Sequence, residues 1–208
     1  MSNPVILIGD GGHASVVYDL LETKGENVIG YTSPEKTDRF YTLSYLGTDE
    51  VIKNYKPDEV YLVTGLGDIC IRTKIYENFS KLGYKFLTVV HPTAHISRYA
   101  SLGEGVQIFA GACVQANSTI KNNVIINTRA TIDHDCVIEN NVHISPNATL
   151  CGVVRVGESS WIGAGSTIRQ EIEIGQNSII GIGSVVTKNI PSNVIAYGVP
   201  CKVVRENE

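Results

Sequence analysis

IKNNVIINTRATIDHDCVIENNVHISPNATL, residues 120–150, repeats every six residues. Ile120, Ile126, Ile132, Ile138, Ile144 and Leu150 mark the period, and the same register extends outward from Ile96 to Val186 through sixteen positions, all Ile, Leu or Val. Four residues after each stands a second residue from a restricted set (Ala, Val, Ser, Cys or Ile), from Ala100 to Ile190. The position before that one is Gly, Asn or Asp in eleven of sixteen hexads, among them Gly105, Gly111, Asn123, Asn141, Gly165 and Gly183. Those residue types tolerate left-handed backbone angles, so this is where the chain turns. One bulky inward residue, a second inward residue and a corner describe a short strand that buries nothing alone. Such units stack into a parallel β-helix. No inserted residue breaks the run to form a projecting loop.

Upstream, the rhythm is different. VILIG (5–9) reads as a buried strand ending in glycine, and HASVVYDLLETKG (13–25) has helical spacing with Gly25 as its stop. NVIGYT (27–32) and EVYLVTG (59–65) are further strands, followed by a helix over 71–83 and the strand KFLTVV (85–90). Alternation of this kind predicts a small parallel sheet flanked by helices. The expected organisation is an α/β Rossmann-like domain over residues 1–90 and a β-helix with a C-terminal tail over residues 91–208.

Composition narrows the function classes. The 208 residues are 43% hydrophobic and carry a net charge of −4, which argues against a nucleic-acid partner held through phosphates. No stretch of 18 apolar residues suggests a membrane span. The N-terminus lacks the basic n-region and long apolar run of a signal peptide. Cysteines 70, 113, 136, 151 and 201 are odd in number and form no CxxC, so reduced thiols in a cytoplasm are expected. His91 and His95 are four apart, but Pro92 lies between them and no nearby acid completes a site, so no metal is expected.

Two motifs carry chemistry. Gly9, Gly11 and Ala14 satisfy G-x-G-x-x-G/A between a strand and a helix, where backbone N–H groups attract phosphate. The acid that would hold an NAD ribose is missing from the next strand, which ends Tyr31-Thr32-Ser33-Pro34. The second motif, TIDHDC (131–136), sets His134 at an outward corner beside Asp135 in the turn slot. His143 is also outward, half a coil away, so the two histidines of one chain lie on different faces. Cys136 occupies an inward slot, which argues against a nucleophilic role.

Taken together, IGDGGHASVVYDLL (8–21), NTRATIDHDCVIENNVHISPNA (127–148) and GVPCKVV (198–204) resemble a family of bacterial sugar acetyltransferases. That family contains the sialic acid O-acetyltransferases and the N-acetyltransferases of nucleotide-linked 4-amino-4,6-dideoxy sugars. The resemblance implies a left-handed β-helix, a homotrimer, acetyl-CoA as cosubstrate and a nucleotide-linked amino sugar held by the N-terminal domain. It matches His134 to the catalytic base and Asp135 to the acid that strengthens it. Asn127, His143, Ala164 and Ile182 match cofactor-binding positions, His143 at the thioester end. Gly11, Gly12 and His13 match the loop that holds the sugar nucleotide, and Gly67 a second backbone contact. Many relatives have Asp-Asp, whose acid can contact the nucleotide base, where this chain has Ser33-Pro34; Ser33 can still hydrogen-bond, and the base is left open between uracil, thymine and guanine. Either His143 or a backbone N–H would serve as donor to the oxyanion. Outward apolar residues such as Ile125 and Val137 are expected to meet neighbouring subunits. O-acetylation of a sialic-acid-like sugar is the alternative chemistry. A zinc hydratase on the same fold would need three converging histidines, and the β-helix proper carries two. A purely structural solenoid would leave the glycine loop and the His134–Asp135 pair unexplained.

Overall fold

The computed structural model describes residues 3–40 and 42–207 and divides into two units, one ending at Val89 and the other beginning at Val90. The first is built on a parallel sheet. Its strands are β1 (Val5–Ile8), β2 (Val28–Thr32), β3 (Tyr45–Gly47), β4 (Tyr61–Thr64) and β5 (Lys85–Phe86), in the order β3-β2-β1-β4-β5. Helices α1 (Gly12–Lys24) and α2 (Ile69–Lys81) follow β1 and β4. Every residue of β1 is buried, as expected of a central strand covered on both faces. Gly25 stops α1 in a left-handed conformation, its N–H returning to the Glu22 and Leu21 carbonyls. The three-residue β3 and the six-residue 3-10 helix Asp49–Asn54 were not legible in the sequence, because elements this short establish no clear period.

The second unit is a left-handed parallel β-helix. Sixteen two-residue strands run from His95–Ile96 to Val185–Val186, each ending on one of the sixteen periodic aliphatic residues. Every third strand pairs in parallel, and the partners are eighteen residues apart: Cys113 with Thr131, Thr131 with Thr149, His143 with Trp161. The strands therefore form three faces. One contains Thr131–Ile132, the next Val137–Ile138, and the third His143–Ile144. The aliphatic column fills the interior, with Ile126, Ile132, Ile138, Ile144 and Leu150 fully buried. Where the second inward residue is Ser, its hydroxyl is satisfied by a carbonyl: Ser118 donates to Asp133 at 2.6 Å and Ser160 to Gly175 at 2.7 Å. This is the pairing that a buried polar group requires. A hairpin of Val194–Gly198 and Cys201–Glu206 continues the third face.

Ten of the eleven Gly, Asn or Asp corners are left-handed, Asn189 being the exception, and four corners of other residue types are left-handed as well. Asn117, Asn123, Asp135, Asn141, Asn147 and Asn177 are left-handed, and so are Arg129, Val153, Ser159 and Glu171. Inter-coil bonding imposes the conformation at the latter four despite their side chains. Val153, at φ 64°, is the most strained because it is β-branched. A left-handed L-residue costs about 1–2 kcal/mol, and Asn pays less of it. Val153 is 41% exposed and loses little burial when replaced. Val153→Asn is expected to raise the thermal midpoint by about 2–4 °C, the shift that about 1 kcal/mol produces in a chain of this size. An unchanged or lower midpoint in calorimetry would contradict the strain.

Candidate active site

In the N-terminal unit the candidate substrate residues collect at the carboxyl ends of β1, β2 and β4. Topology dictates this, because consecutive connections leave the central β1 in opposite directions and open a crevice at its end. The loop after β1 is pinned by Gly9 N–H to the Thr32 carbonyl, 2.8 Å, and by Gly65 N–H to the Ile8 carbonyl, 2.6 Å. Gly11 caps α1 and Gly12 begins it, both exposed; a Cβ on either would meet nothing within 4 Å. Packing within the chain therefore does not call for glycine at these positions. Gly67 lies near His13, and its carbonyl, with that of Leu66, is 3.4 Å from Arg72 Nη1. Arg72 is fully buried, and desolvation lowers its pKa to about 10. Ser33 is 2% exposed and its hydroxyl donates to the Glu35 carbonyl. Its hydroxyl proton is thus already engaged, and only acceptor capacity remains for a nucleotide base.

On the β-helix, His134 stands at the corner between the first and second faces, its side chain 56% exposed. Its Nδ1 lies 2.7 Å from Asp135 Oδ2, so the Nδ1 proton faces the carboxylate and Nε2 is left as the accepting nitrogen. The backbone N–H of His134 donates to Asp133 Oδ1 at 2.8 Å. The hydrogen bond to Asp135 raises the His134 pKa above its ordinary value, and the charges of Asp133 and Asp135 add to the effect. Asp135 is held below the usual carboxylate range by His134 and then by Asn117.

Asn127, His143, Ala164 and Ile182 come together elsewhere, in one groove of about 540 Å³ on the third face. Trp161 and Ile179 share its lining, and His134 is not part of it. His143 points outward as expected, yet it is only 5% exposed, because the Trp161 indole stacks on it at 4.9 Å and 9°. Trp161 is itself fixed by its indole N–H, which donates to Ser145 Oγ at 2.6 Å. Asn127 Oδ1 accepts the Thr128 N–H at 2.8 Å, which turns the amide NH₂ toward His143 Nε2 at 3.3 Å. Nε2 is then an acceptor and the ring proton sits on Nδ1, which is buried. In this tautomer His143 Nε2 accepts from the Asn127 amide. The expectation for Ile125 is corrected: it is fully buried within the chain and offers no surface to a neighbour.

The chain matches the PglD N-terminal domain over residues 4–79 and the bacterial transferase hexapeptide family (six repeats) over residues 117–152 and 154–188. A curated relative, UDP-N-acetylbacillosamine N-acetyltransferase of Bacillus subtilis, is 35% identical over 111 residues, 51% of each chain. The alignment thus spans about half the length of that relative. The acetyltransferase domain of PglB from Neisseria gonorrhoeae, solved also with acetyl coenzyme A, superposes with a TM-score of 0.94 at 35% identity, covering 98% of this chain and 100% of that one. The chain belongs to the hexapeptide-repeat sugar acetyltransferases. A perosamine N-acetyltransferase from Caulobacter crescentus, solved with CoA and GDP-perosamine, is a further relative at 33% identity and a TM-score of 0.92, covering 98% of both chains. The family resemblance read from three stretches of sequence is therefore correct, as is the fold.

Membership fits the remaining chemistry. Cys136 is buried, its Sγ 3.3 Å from the Cys151 carbonyl, and burial pushes its thiol up to about 11. It is a packing residue in this acetyltransferase, not a thiolate nucleophile. Among the described residues no three His, Cys, Asp or Glu side chains are grouped to hold a metal ion. No helix among them is long and apolar enough to cross a membrane. Sequence reasoning missed Trp161, Ser145 and Asn117. The signal for each was its place eighteen residues from a candidate residue or beside one that is: Trp161 above His143 and Asn117 below Asp135.

The His134–Asp135 contact has a measurable consequence. Asp135→Asn removes the carboxylate that favours the imidazolium, so the His134 pKa is expected to fall. Imidazole NMR titration of both proteins reads it directly, and an unchanged pKa would mean that the 2.7 Å contact does not persist in solution.

Proposed function

We propose that the chain transfers the acetyl group of acetyl-CoA to the amino group of a nucleotide-linked 4-amino-4,6-dideoxy sugar, in the cytoplasm and toward a surface glycan, with His134 as general base. The observation that carries this reading is the His134 side chain, 56% exposed, whose Nδ1–Asp135 contact leaves Nε2 accepting. It is supported by relatives whose names and complexes pair an amino-sugar acetyltransferase with CoA and a nucleotide sugar. The neutral amine attacks the thioester carbonyl, and its proton passes to Nε2. The C–S bond then breaks and the CoA sulfur takes a proton, giving the amide and free thiol. Histidine suits this step because its ordinary pKa lies near cytoplasmic pH.

The groove lined by Asn127, His143, Ala164 and Ile182 fits the apolar arm of acetyl-CoA. The exposed glycines at the start of α1 fit a diphosphate, aided by the helix N-terminus. His134 lies off the groove, so joining thioester and base calls for a second copy of the chain, and we propose a homotrimer in which neighbouring subunits supply them.

Two experiments test the reading. CoA release is followed with UDP-, dTDP- and GDP-linked amino sugars. One of these is expected to be turned over, and His134→Ala is expected to lower kcat by about 10²–10⁴-fold with the fold intact, because the residue adds no core burial. A variant with near-full activity would remove His134 from the chemistry. Separately, Gly12→Val should raise the sugar-nucleotide KM and leave acetyl-CoA binding unchanged in calorimetry. Loss of acetyl-CoA binding instead would reverse the assignment of the two ligands.

A further inference from the structure

The corner that carries His134 draws on three successive coils. Asp135 N–H donates to the Ala116 carbonyl of the coil below, 3.0 Å, and the Val153 N–H of the coil above donates to the His134 carbonyl, 2.9 Å. These bonds stack Ala116, His134 and Gly152 in one column and Asn117, Asp135 and Val153 in the next.

Below the imidazole, Asn117 Nδ2 donates to Asp135 Oδ1 at 3.2 Å while Oδ2 of the same carboxylate faces His134 Nδ1 at 2.7 Å. With a partner on each oxygen, the carboxylate cannot rotate without breaking one of them. The plane of the carboxylate sets the direction of the bond to Nδ1, and so the plane of the ring. Above the imidazole, a Cβ on Gly152 would lie 2.5 Å from His134 Cε1 and 2.6 Å from Nε2. No real side chain makes such contacts, so the ring occupies volume that any other residue at 152 would take. Gly152 is absent from the left-handed residues, so its backbone conformation does not require glycine.

We propose that Asn117 and Gly152 are positioning residues for His134, Asn117 by fixing the plane of Asp135 and Gly152 by leaving the berth in which the imidazole lies. The proposal rests on the reading of His134 as the base. Each acts through the orientation of Nε2, Asn117 by way of Asp135 and Gly152 by the space it leaves. A displacement of about 1 Å at a reacting group can lower a rate by about 10²-fold. Gly152 is placed to cause that much when it gains a methyl, and Asn117 to cause less, since Asp135 keeps its bond to the ring.

The test is a pair of double-variant cycles on the full chain, with kcat measured by CoA release from one good amino-sugar acceptor. Gly152→Ala is expected to lower kcat by about 10²-fold, and in a His134→Ala background to change nothing further. Asn117→Ala is expected to lower kcat several-fold, and in an Asp135→Ala background to have no effect. The imidazole signals of His134 should shift in both single variants. If Gly152→Ala fails to fold, the cause proposed is collision with the ring, so Gly152→Ala combined with His134→Ala should regain the melting temperature of His134→Ala alone. Wild-type kcat in either single variant, additive losses in either cycle, or a double variant that still fails to fold would overturn the proposal. A fully active His134→Ala enzyme would instead overturn the assignment of the base, and the two failures are told apart by that one control.

Discussion

The parallel pairing of each two-residue strand with the strand eighteen residues on is the interaction on which the rest of this molecule depends. It turns a linear sequence into columns. Within a column, backbone bonds keep successive residues at strand spacing, about 4.8 Å, and the aliphatic interior prevents slippage because a one-residue shift would turn every buried Ile outward. Functional groups inherit that regularity. The groove is built mainly from three such columns: His143–Trp161–Ile179 on the third face, then Asn127–Ser145–Gly163–Gly181, then Pro146–Ala164–Ile182 at its corner. His134 is set in another, between Ala116 and Gly152.

The N-terminal unit works by a different rule. Its residues reach a common edge because parallel strands all end on the same side, not because they repeat. Gly11 and Gly12 after β1, Ser33 after β2 and Gly67 after β4 are far apart in sequence and share only their place at strand ends. The buried Arg72 behind the Leu66–Gly67 segment adds a positive charge beneath that edge. Burial brings its pKa down to about 10, still well above neutrality, so the charge persists.

Legibility followed the same division. The sixteen strands, their ends and most left-handed corners could be read from the hexads, because a repeat supplies independent observations of one rule. Strand β3 and the 3-10 helix Asp49–Asn54 could not, being single short elements set by packing. His134 and Asp135 were legible as adjacent letters, and their 2.7 Å contact follows from that adjacency. The burial of His143 was not, since it depends on Trp161 lying flat on the ring, which only the eighteen-residue register brings about. The loss of Ser33 as a donor was equally hidden, because it arises from the local turn to the Glu35 carbonyl.

The unbroken run from Ile96 to Val186 makes length, more than composition, the protected quantity of the β-helix. Side chains on the outer faces can change singly, each answering to its own column. An insertion or deletion of one residue has no local remedy, because every later strand would meet the wrong partner, much as a shifted reading frame corrupts all that follows it. Whole coils of eighteen are the neutral unit of growth and loss. A descendant of this chain could lengthen beyond Val186 by such steps while the corner that carries His134 kept its geometry unaltered.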